Sequence, residues 1–340
     1  MVEMSEILVA ITVPFADQQV ERLRAVSPRL RFHVQHAHAA KDIPPEVLRE
    51  IEVLYTVRTM PEPEMVPNLR WIQFHYAGVD HVSDHPLLQS PVLITTLSGA
   101  AIPQMAEFAM MCMLALGRRL PGMIRDKEAK RWAEDRFERF GPAELRGATV
   151  GIVGYGSIGR EIARLCRAFG AKVLAVKRDL KNLADPGYAM AGLGDPGAGL
   201  PERIYPPQAL RSMAAECDYV VVTTPLTDET RGMVDRKVLQ NMKPTAYLVD
   251  LSRGGVVDHG ALVEALSEKR IAGAALDVYP VEPLPESSPL WEMPNVILSP
   301  HVAGASGDYM ERAAAVFAEN LRRYVNDEPL LNRYDPSRGY

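Results

Sequence analysis

The run Ala148-Thr-Val-Gly-Ile-Val-Gly-Tyr-Gly-Ser-Ile-Gly159 restricts this chain more than any other feature. It reads as a short β-branched strand that turns directly into a helix. Gly154 suits the tight turn, Gly156 lets the backbone approach a pyrophosphate, and Gly159 lets helix and strand pack closely. The helix is legible in its own right, because Ile158, Ile162, Leu165 and Phe169 share one face and Gly170 closes it. A second β-rich run, Lys172-Val-Leu-Ala-Val176, completes a βαβ unit. A lone G-x-G-x-x-G is a weak signal, but strand, helix and strand in sequence point to a dinucleotide site rather than a structural glycine turn. Ser157 and Ile158 join the three glycines as candidate cofactor contacts, with Pro225 further along.

Three later segments carry the chemistry: Leu251-Ser-Arg253-Gly-Gly-Val-Val-Asp258, Asp277-Val-Tyr-Pro-Val-Glu282-Pro283 and Ser299-Pro300-His301-Val-Ala-Gly304. Each places an ionisable residue at the end of an apolar, strand-like run: Ala246 to Val249, Ile271 to Leu276 and Val296 to Leu298. Ligands of open α/β sheets bind outside the carboxyl ends of the strands, so these side chains should converge. Arg253, Glu282 and His301 together supply a carboxylate anchor, an imidazole orienter and a proton carrier.

With these four ordered motifs, nearly the whole chain resembles the D-isomer-specific 2-hydroxyacid dehydrogenases, the family of D-lactate, D-glycerate and phosphoglycerate dehydrogenases and glyoxylate/hydroxypyruvate reductases. The resemblance implies an α/β protein of two Rossmann-like domains, the nucleotide-binding domain (104–300) inserted into a flavodoxin-like substrate domain (1–103 and 301–340). It implies an NAD(P)-dependent enzyme that reduces a small 2-oxo acid to the D-2-hydroxy acid. Arg253, Glu282 and His301 then fall on the catalytic positions, and Asp277 on the position that contacts the nicotinamide carboxamide. The amides of Ala77 and Gly78, in Tyr76-Ala-Gly-Val-Asp80, would meet the substrate carboxylate together with Arg253. Arg58 would border that pocket, although a solvated loop arginine fits the residue equally well. One departure stands out, since the family commonly has Asn where this chain has Asp250. A carboxylate there either orients Arg253 or weakens the local positive field. Corepressor-like dinucleotide-binding proteins and formate or phosphite dehydrogenases share the fold and stay open as alternatives.

Composition agrees with a soluble enzyme. A chain of 340 residues is too long for one ordinary core, so two domains are expected. The net charge of −5 and the lack of a long basic block argue against nucleic acid. The most apolar run, Phe108 to Gly117, is too short to span a membrane, and Met-Val-Glu-Met-Ser-Glu lacks the basic start of a signal peptide. Three separated cysteines, Cys112, Cys166 and Cys217, suit a reduced, cytoplasmic protein.

Strands are expected at Ile7–Val13, Val53–Val57, Trp71–Phe74 and Val92–Thr95, a long helix at Gln104–Leu120 and a last helix at Tyr309–Val325. The Gly/Pro-rich stretch from Lys181 to Pro207 reads as a surface insertion, or alternatively as a flap over the adenosine. His33, His36 and His38 do not share one strand face and no thiol or carboxylate joins them, so no metal is expected. His75 either lines the substrate pocket or faces solvent. The stretch Met123 to Phe140, with Trp132, Phe137 and Phe140, corresponds by resemblance to an arm that wraps the second subunit of a homodimer. NAD-preferring sites carry an acidic residue where the second strand ends. Here that end is Lys177-Arg178, which favours NADP(H), while the following Asp179 keeps NAD(H) possible.

Overall fold

The computed structural model describes residues 6–141, 143–184, 187–336 and 339. The chain divides into two units: Met1–Ala101, Pro186–Tyr188 and Ser306–Tyr340 form one, and Ile102–Asp185 with Ala189–Ala305 the other.

In the first unit the strands are β1 (Ile7–Ile11), β2 (Leu30–Val34), β3 (Val53–Thr56), β4 (Trp71–Phe74) and β5 (Leu93–Thr95). All pair in parallel in the order β2-β1-β3-β4-β5, the flavodoxin-like arrangement. Every residue of β3 and β4 is buried, as strands covered on both faces require. Alternate side chains feed two layers. Val9, Ile11, Tyr55 and Trp71 pack on Ala313, Phe317 and Leu321 of the helix Tyr309–Val325, whose bounds match the expectation. Leu54, Ile72 and Phe74 pack on Leu48 and Ile51 across the sheet. The first strand stops at Ile11, two residues short of the expectation, because Pro14 ends regular pairing.

The second unit contains β6 (Thr149–Val153), β7 (Lys172–Val176), β8 (Arg203–Tyr205), β9 (Tyr219–Val222), β10 (Tyr247–Asp250), β11 (Gly273–Leu276) and β12 (Val296–Leu298). Again all pairs are parallel, in the order β12-β11-β10-β9-β6-β7-β8. Connections run outward in opposite directions from β6 and β9, which makes that pair the switch point of a Rossmann sheet. One face packs Val150, Ile152, Val221 and Val249 on the helices Ile102–Gly117 and Ser157–Ala168. The other packs Val220, Val222, Leu248 and Leu276 on Leu239 and Leu262.

Two expectations need correction. The long helix ends at Gly117, not at Leu120, and Arg119 turns left-handed (φ 54°) before a new helix, Leu120–Glu128. Pro121 has no N–H for the preceding turn and clashes with its carbonyls, so it can only begin a helix there. The Gly/Pro-rich stretch is also more than a surface insertion. Its end forms the edge strand β8, and its middle is tied to the fingerprint by buried polar groups. The Arg160 guanidinium, nearly inaccessible, donates to the carbonyls of Leu183 and Asp195. The Asp195 carboxylate accepts from the Tyr155 hydroxyl at 2.6 Å and from the amides of Gly199 and Leu200 at 3.0 and 2.9 Å. Glu161 accepts from Gly194 N at 2.7 Å.

Burial would raise the Asp195 pKa, but the Tyr155 hydroxyl, the two amides and the Arg160 charge outweigh it and hold the carboxyl below its usual range. A depressed folded pKa means stability that is present above the unfolded value and lost as pH falls through the folded one. Asp195→Ala should therefore cost about 2–3 kcal/mol in urea denaturation at neutral pH, and progressively less in acid. Unchanged stability at neutral pH would show that the network does not hold the segment.

Candidate active site

At the end of β6 the chain reverses through Gly154 (φ 104°), whose amide and that of Tyr155 both donate to the Val176 carbonyl, at 3.2 and 3.1 Å. Gly159 lies directly against the Gly154 carbonyl, and a β-carbon there would collide with it. Gly156 is different. Its φ is −92°, open to any residue, and no atom would obstruct a side chain. The fold itself does not require glycine at 156, so the open space suits an approaching ligand. Gly156 caps the helix Ser157–Ala168 without a side-chain hydrogen bond, which leaves the first-turn amides of Ser157, Ile158 and Gly159 to receive an anion. The Thr224 hydroxyl, packed beside Gly154, is buried with no hydrogen-bond partner among the described residues. These features fit a dinucleotide pyrophosphate. Lys177 and Arg178 follow β7, as read from the sequence. Arg178 pairs with exposed Glu229 at 3.2 Å. Asp179 caps the next turn, accepting from the amides of Lys181 and Asn182. Pro225 begins the turn after β9, and its carbonyl accepts from Thr230 Oγ1 at 2.6 Å.

The remaining groups of this unit stand at the ends of β10, β11 and β12. After β10 the chain turns through Ser252, and the Arg253 Nη1 donates to the Ser252 carbonyl at 2.9 Å. Gly254 presses on the Tyr279 carbonyl with no room for a β-carbon, and Gly255 is left-handed (φ 110°), so both glycines after the arginine are required. Asp258 then caps the helix His259–Ser267 through the Ala261 amide at 3.0 Å. Glu282 Oε1 accepts from the Tyr279 amide at 3.0 Å, which fixes the carboxylate, and Oε2 receives Nδ1 of His301 at 2.8 Å. The Nδ1–H tautomer leaves Nε2 to exchange a proton. His301 itself is left-handed (φ 52°).

Asp277 explains how that conformation is held. It is buried, and its carboxylate accepts from Ser299 Oγ at 2.7 Å, Val302 N at 2.8 Å and Ala303 N at 2.9 Å. It therefore clamps the loop on both sides of His301, a function that sequence reading did not assign to it. Asp250 stands at the end of β10. It is fully buried, and its side-chain bonds go to the amide and hydroxyl of Ser252, not to Arg253.

In the first unit, Ala77 and Gly78 lie in the partly exposed loop after β4. Among the described residues neither donates its amide to any acceptor, which leaves two adjacent donors for an anion. Arg58 is exposed in the loop after β3. His75 does not face solvent. It is buried, its Nδ1 is 2.6 Å from the Tyr55 hydroxyl, and burial pulls its pKa down to about 4. His36 and His38 face each other at 4.6 Å between ring centroids, and among the described residues no three metal-binding side chains cluster. Burial pushes the thiols of Cys112, Cys166 and Cys217 up to about 12.

Residues 110–303 match the family model of the D-isomer specific 2-hydroxyacid dehydrogenase NAD binding domain. A glyoxylate reductase of Thermofilum pendens is 34% identical over 86% of this chain and 85% of its own length. A glyoxylate reductase of Thermococcus kodakarensis is 32% identical over 94% and 93%. The chain belongs to the D-isomer specific 2-hydroxyacid dehydrogenases. A solved member from Xanthobacter autotrophicus Py2, in complex with NADPH and MES, superposes with a TM-score of 0.80 at 32% identity, covering 99% of this chain and all of that one. The dehydrogenase is thus an oxidoreductase that uses a nicotinamide dinucleotide to reduce a 2-oxo acid. Among the described residues, no helix is long and apolar enough to cross a membrane.

Proposed function

We propose that the dehydrogenase reduces glyoxylate or hydroxypyruvate to the D-2-hydroxy acid with NADPH. The observation that carries this reading is the Glu282–His301 hydrogen bond, at the strand ends that also bear Arg253 and beside an open glycine fingerprint. The bound dinucleotide supplies hydride. Arg253 binds the substrate carboxylate and polarises the carbonyl through its planar fork. Protonated His301 donates a proton from Nε2 to the developing alkoxide, and Glu282 orients the ring. In the reverse direction neutral His301 is the base. Asp277 fixes the imidazole through its loop and takes the nicotinamide carboxamide. The amides of Ala77 and Gly78 receive the substrate carboxylate, and Arg58 selects the substrate tail. In this reading residues 1–103 and 301–340 are the substrate domain and 104–300 the dinucleotide domain.

Lys177 and Arg178 support NADP(H), because two cations after β7 attract a 2′-phosphate that a carboxylate would repel. Asp179 Oδ1 caps its own turn by accepting from the amides of Lys181 and Asn182, which weighs against its reaching a ribose. The relative from Xanthobacter autotrophicus was solved with NADPH, which agrees. A homodimer is favoured by large apolar side chains left in solvent along 111–137, where Met111 is 50%, Trp132 83% and Phe137 80% exposed. Three buried, unpaired thiols suit the cytoplasm.

His301→Ala should lower glyoxylate turnover about 10²–10⁴-fold while NADPH affinity, read by fluorescence titration, barely changes. Glu282→Gln should lower turnover while leaving the KM for glyoxylate nearly unchanged, because the ring loses the carboxylate that orients it and Arg253 still anchors the substrate. Wild-type turnover in His301→Ala would end the assignment, as would a preference for formate or phosphite over 2-oxo acids.

The cofactor is tested by kcat/KM for NADPH and NADH in wild type and in Lys177→Ala/Arg178→Ala. The double change should erase an NADPH preference, and a wild-type NADH preference that the change leaves alone contradicts the reading. Light scattering at micromolar concentration should give twice the 37.6 kDa chain mass. A monomer there would refute the dimer.

A further inference from the structure

Asp250 closes β10 with a carboxyl group. By strand alternation its side chain lies on the face of Leu248, which belongs to the apolar layer with Val222 and Leu276. None of Asp250 reaches solvent. Both hydrogen bonds to its side chain arrive at Oδ1, from the amide and hydroxyl of Ser252, while Oδ2 is buried with no partner among the described residues. Among the described residues no cation is hydrogen-bonded to the Asp250 carboxyl, and nearby Asp277 is itself a carboxyl group clamped by three donors.

We propose that Asp250 is held as an un-ionised acid that shapes the turn presenting Arg253 as an amide would, and that its ionisation at alkaline pH weakens the hold of Arg253 on the substrate carboxylate. This rests on the role of Arg253 proposed above. Geometry makes the case: a carboxyl in an apolar layer, with one oxygen unsatisfied, can keep its charge only at a large desolvation cost. Burial raises its pKa to about 7, against the opposing bonds from Ser252 and with a further rise from Asp277. The titratable groups facing it are few. Asp277 stands at the end of β11, and Tyr279, on which Asp250 also acts, follows it. His259 packs its ring on Tyr279 from the neighbouring helix, and Arg253 lies on the same turn. When Asp250 ionises, a buried anion appears three residues before the arginine and competes for its positive field.

Three measurements on the full chain test this. The infrared spectrum of the wild-type protein without ligands should contain the carbonyl stretch of a protonated carboxylic acid, which disappears in alkali and is missing in Asp250→Asn. A folded pKa above the unfolded one stabilises the protein only where the native state retains its proton, and that contribution fades as pH rises to the folded value. Asp250→Asn should accordingly gain in melting temperature relative to wild type from about pH 4 to about pH 7, then run parallel to it. For glyoxylate, Asp250→Asn should match the wild-type KM near about pH 6. Towards about pH 9 the wild-type KM should rise above that of the variant, by up to roughly tenfold, and the wild-type kcat should fall below it, because Arg253 both anchors and polarises the substrate. A merely structural role would not produce this pH-dependent split.

Absence of the infrared band in wild type overturns the proposal. So does an Asp250→Asn protein that fails to fold, or one whose KM is already raised tenfold near about pH 6, because a neutral acid should be replaceable by its isosteric amide. If wild type does not reduce glyoxylate at any pH, the reading of Arg253 fails, whereas the infrared and melting results still decide the state of Asp250.

Discussion

The contact between the Gly154 carbonyl and the α-carbon of Gly159 is the approach on which the second unit depends. It seats the helix Ser157–Ala168 directly on the end of β6, so that the unpaired first-turn amides face outward from the switch point of the sheet. A side chain at 159 would lift the helix away and scatter those donors. The same device recurs at Gly254, where the chain passes so near the Tyr279 carbonyl that the turns after β10 and β11 form one rigid assembly. Backbone contact, not side-chain packing, therefore sets where Arg253 and Glu282 emerge.

Electrostatics completes what these contacts begin. Asp277 holds the His301 loop through two amides and a hydroxyl, and it is itself nearly inaccessible. Such a carboxylate fixes a loop because each of its bonds is charge-assisted and shielded from competing water. The left-handed conformation of His301 costs backbone energy that a free loop would relax, and the clamp on Val302 and Ala303 opposes that relaxation. Arg160 and Asp195 act by the same principle on the other side of the fingerprint, where they bind an irregular segment to Tyr155.

Features written as local rules were legible from the sequence. The strand–turn–helix of the fingerprint, the bounds of β4, β7 and the last helix, and the order of Arg253, Glu282 and His301 follow from periodicity, glycine chemistry and motif spacing. Features that depend on partners far along the chain were not. The strand β8 hides in a Gly/Pro-rich stretch because it is three residues at a sheet edge, paired on one side by β7. β2 has Leu30 buried and Phe32 half-buried as an edge strand does, but Val34 is exposed and His33 interrupts the apolar run, so its pattern is weak. The clamp of Asp277 on residues 22 to 26 positions later has no local signature. A buried carboxylate just past an apolar strand is the one hint, and it could equally be read as a ligand contact.

The contrast between two histidines shows why position in the fold, and not residue type, decides function. His75 and His301 each place Nδ1 within hydrogen-bond distance of an oxygen, at 2.6 and 2.8 Å. His75 meets a phenol inside an aromatic cluster with Phe15, Tyr76 and Tyr309, and burial pulls its pKa to about 4. It stays neutral across the range in which an enzyme works, and its bond to the Tyr55 hydroxyl ties the end of β4 to β3. His301 meets a carboxylate, with 42% of its side chain exposed. A buried imidazole bonded to a phenol is a structural tie, whereas an exposed one oriented by a carboxylate has the geometry that the proposed proton carrier requires.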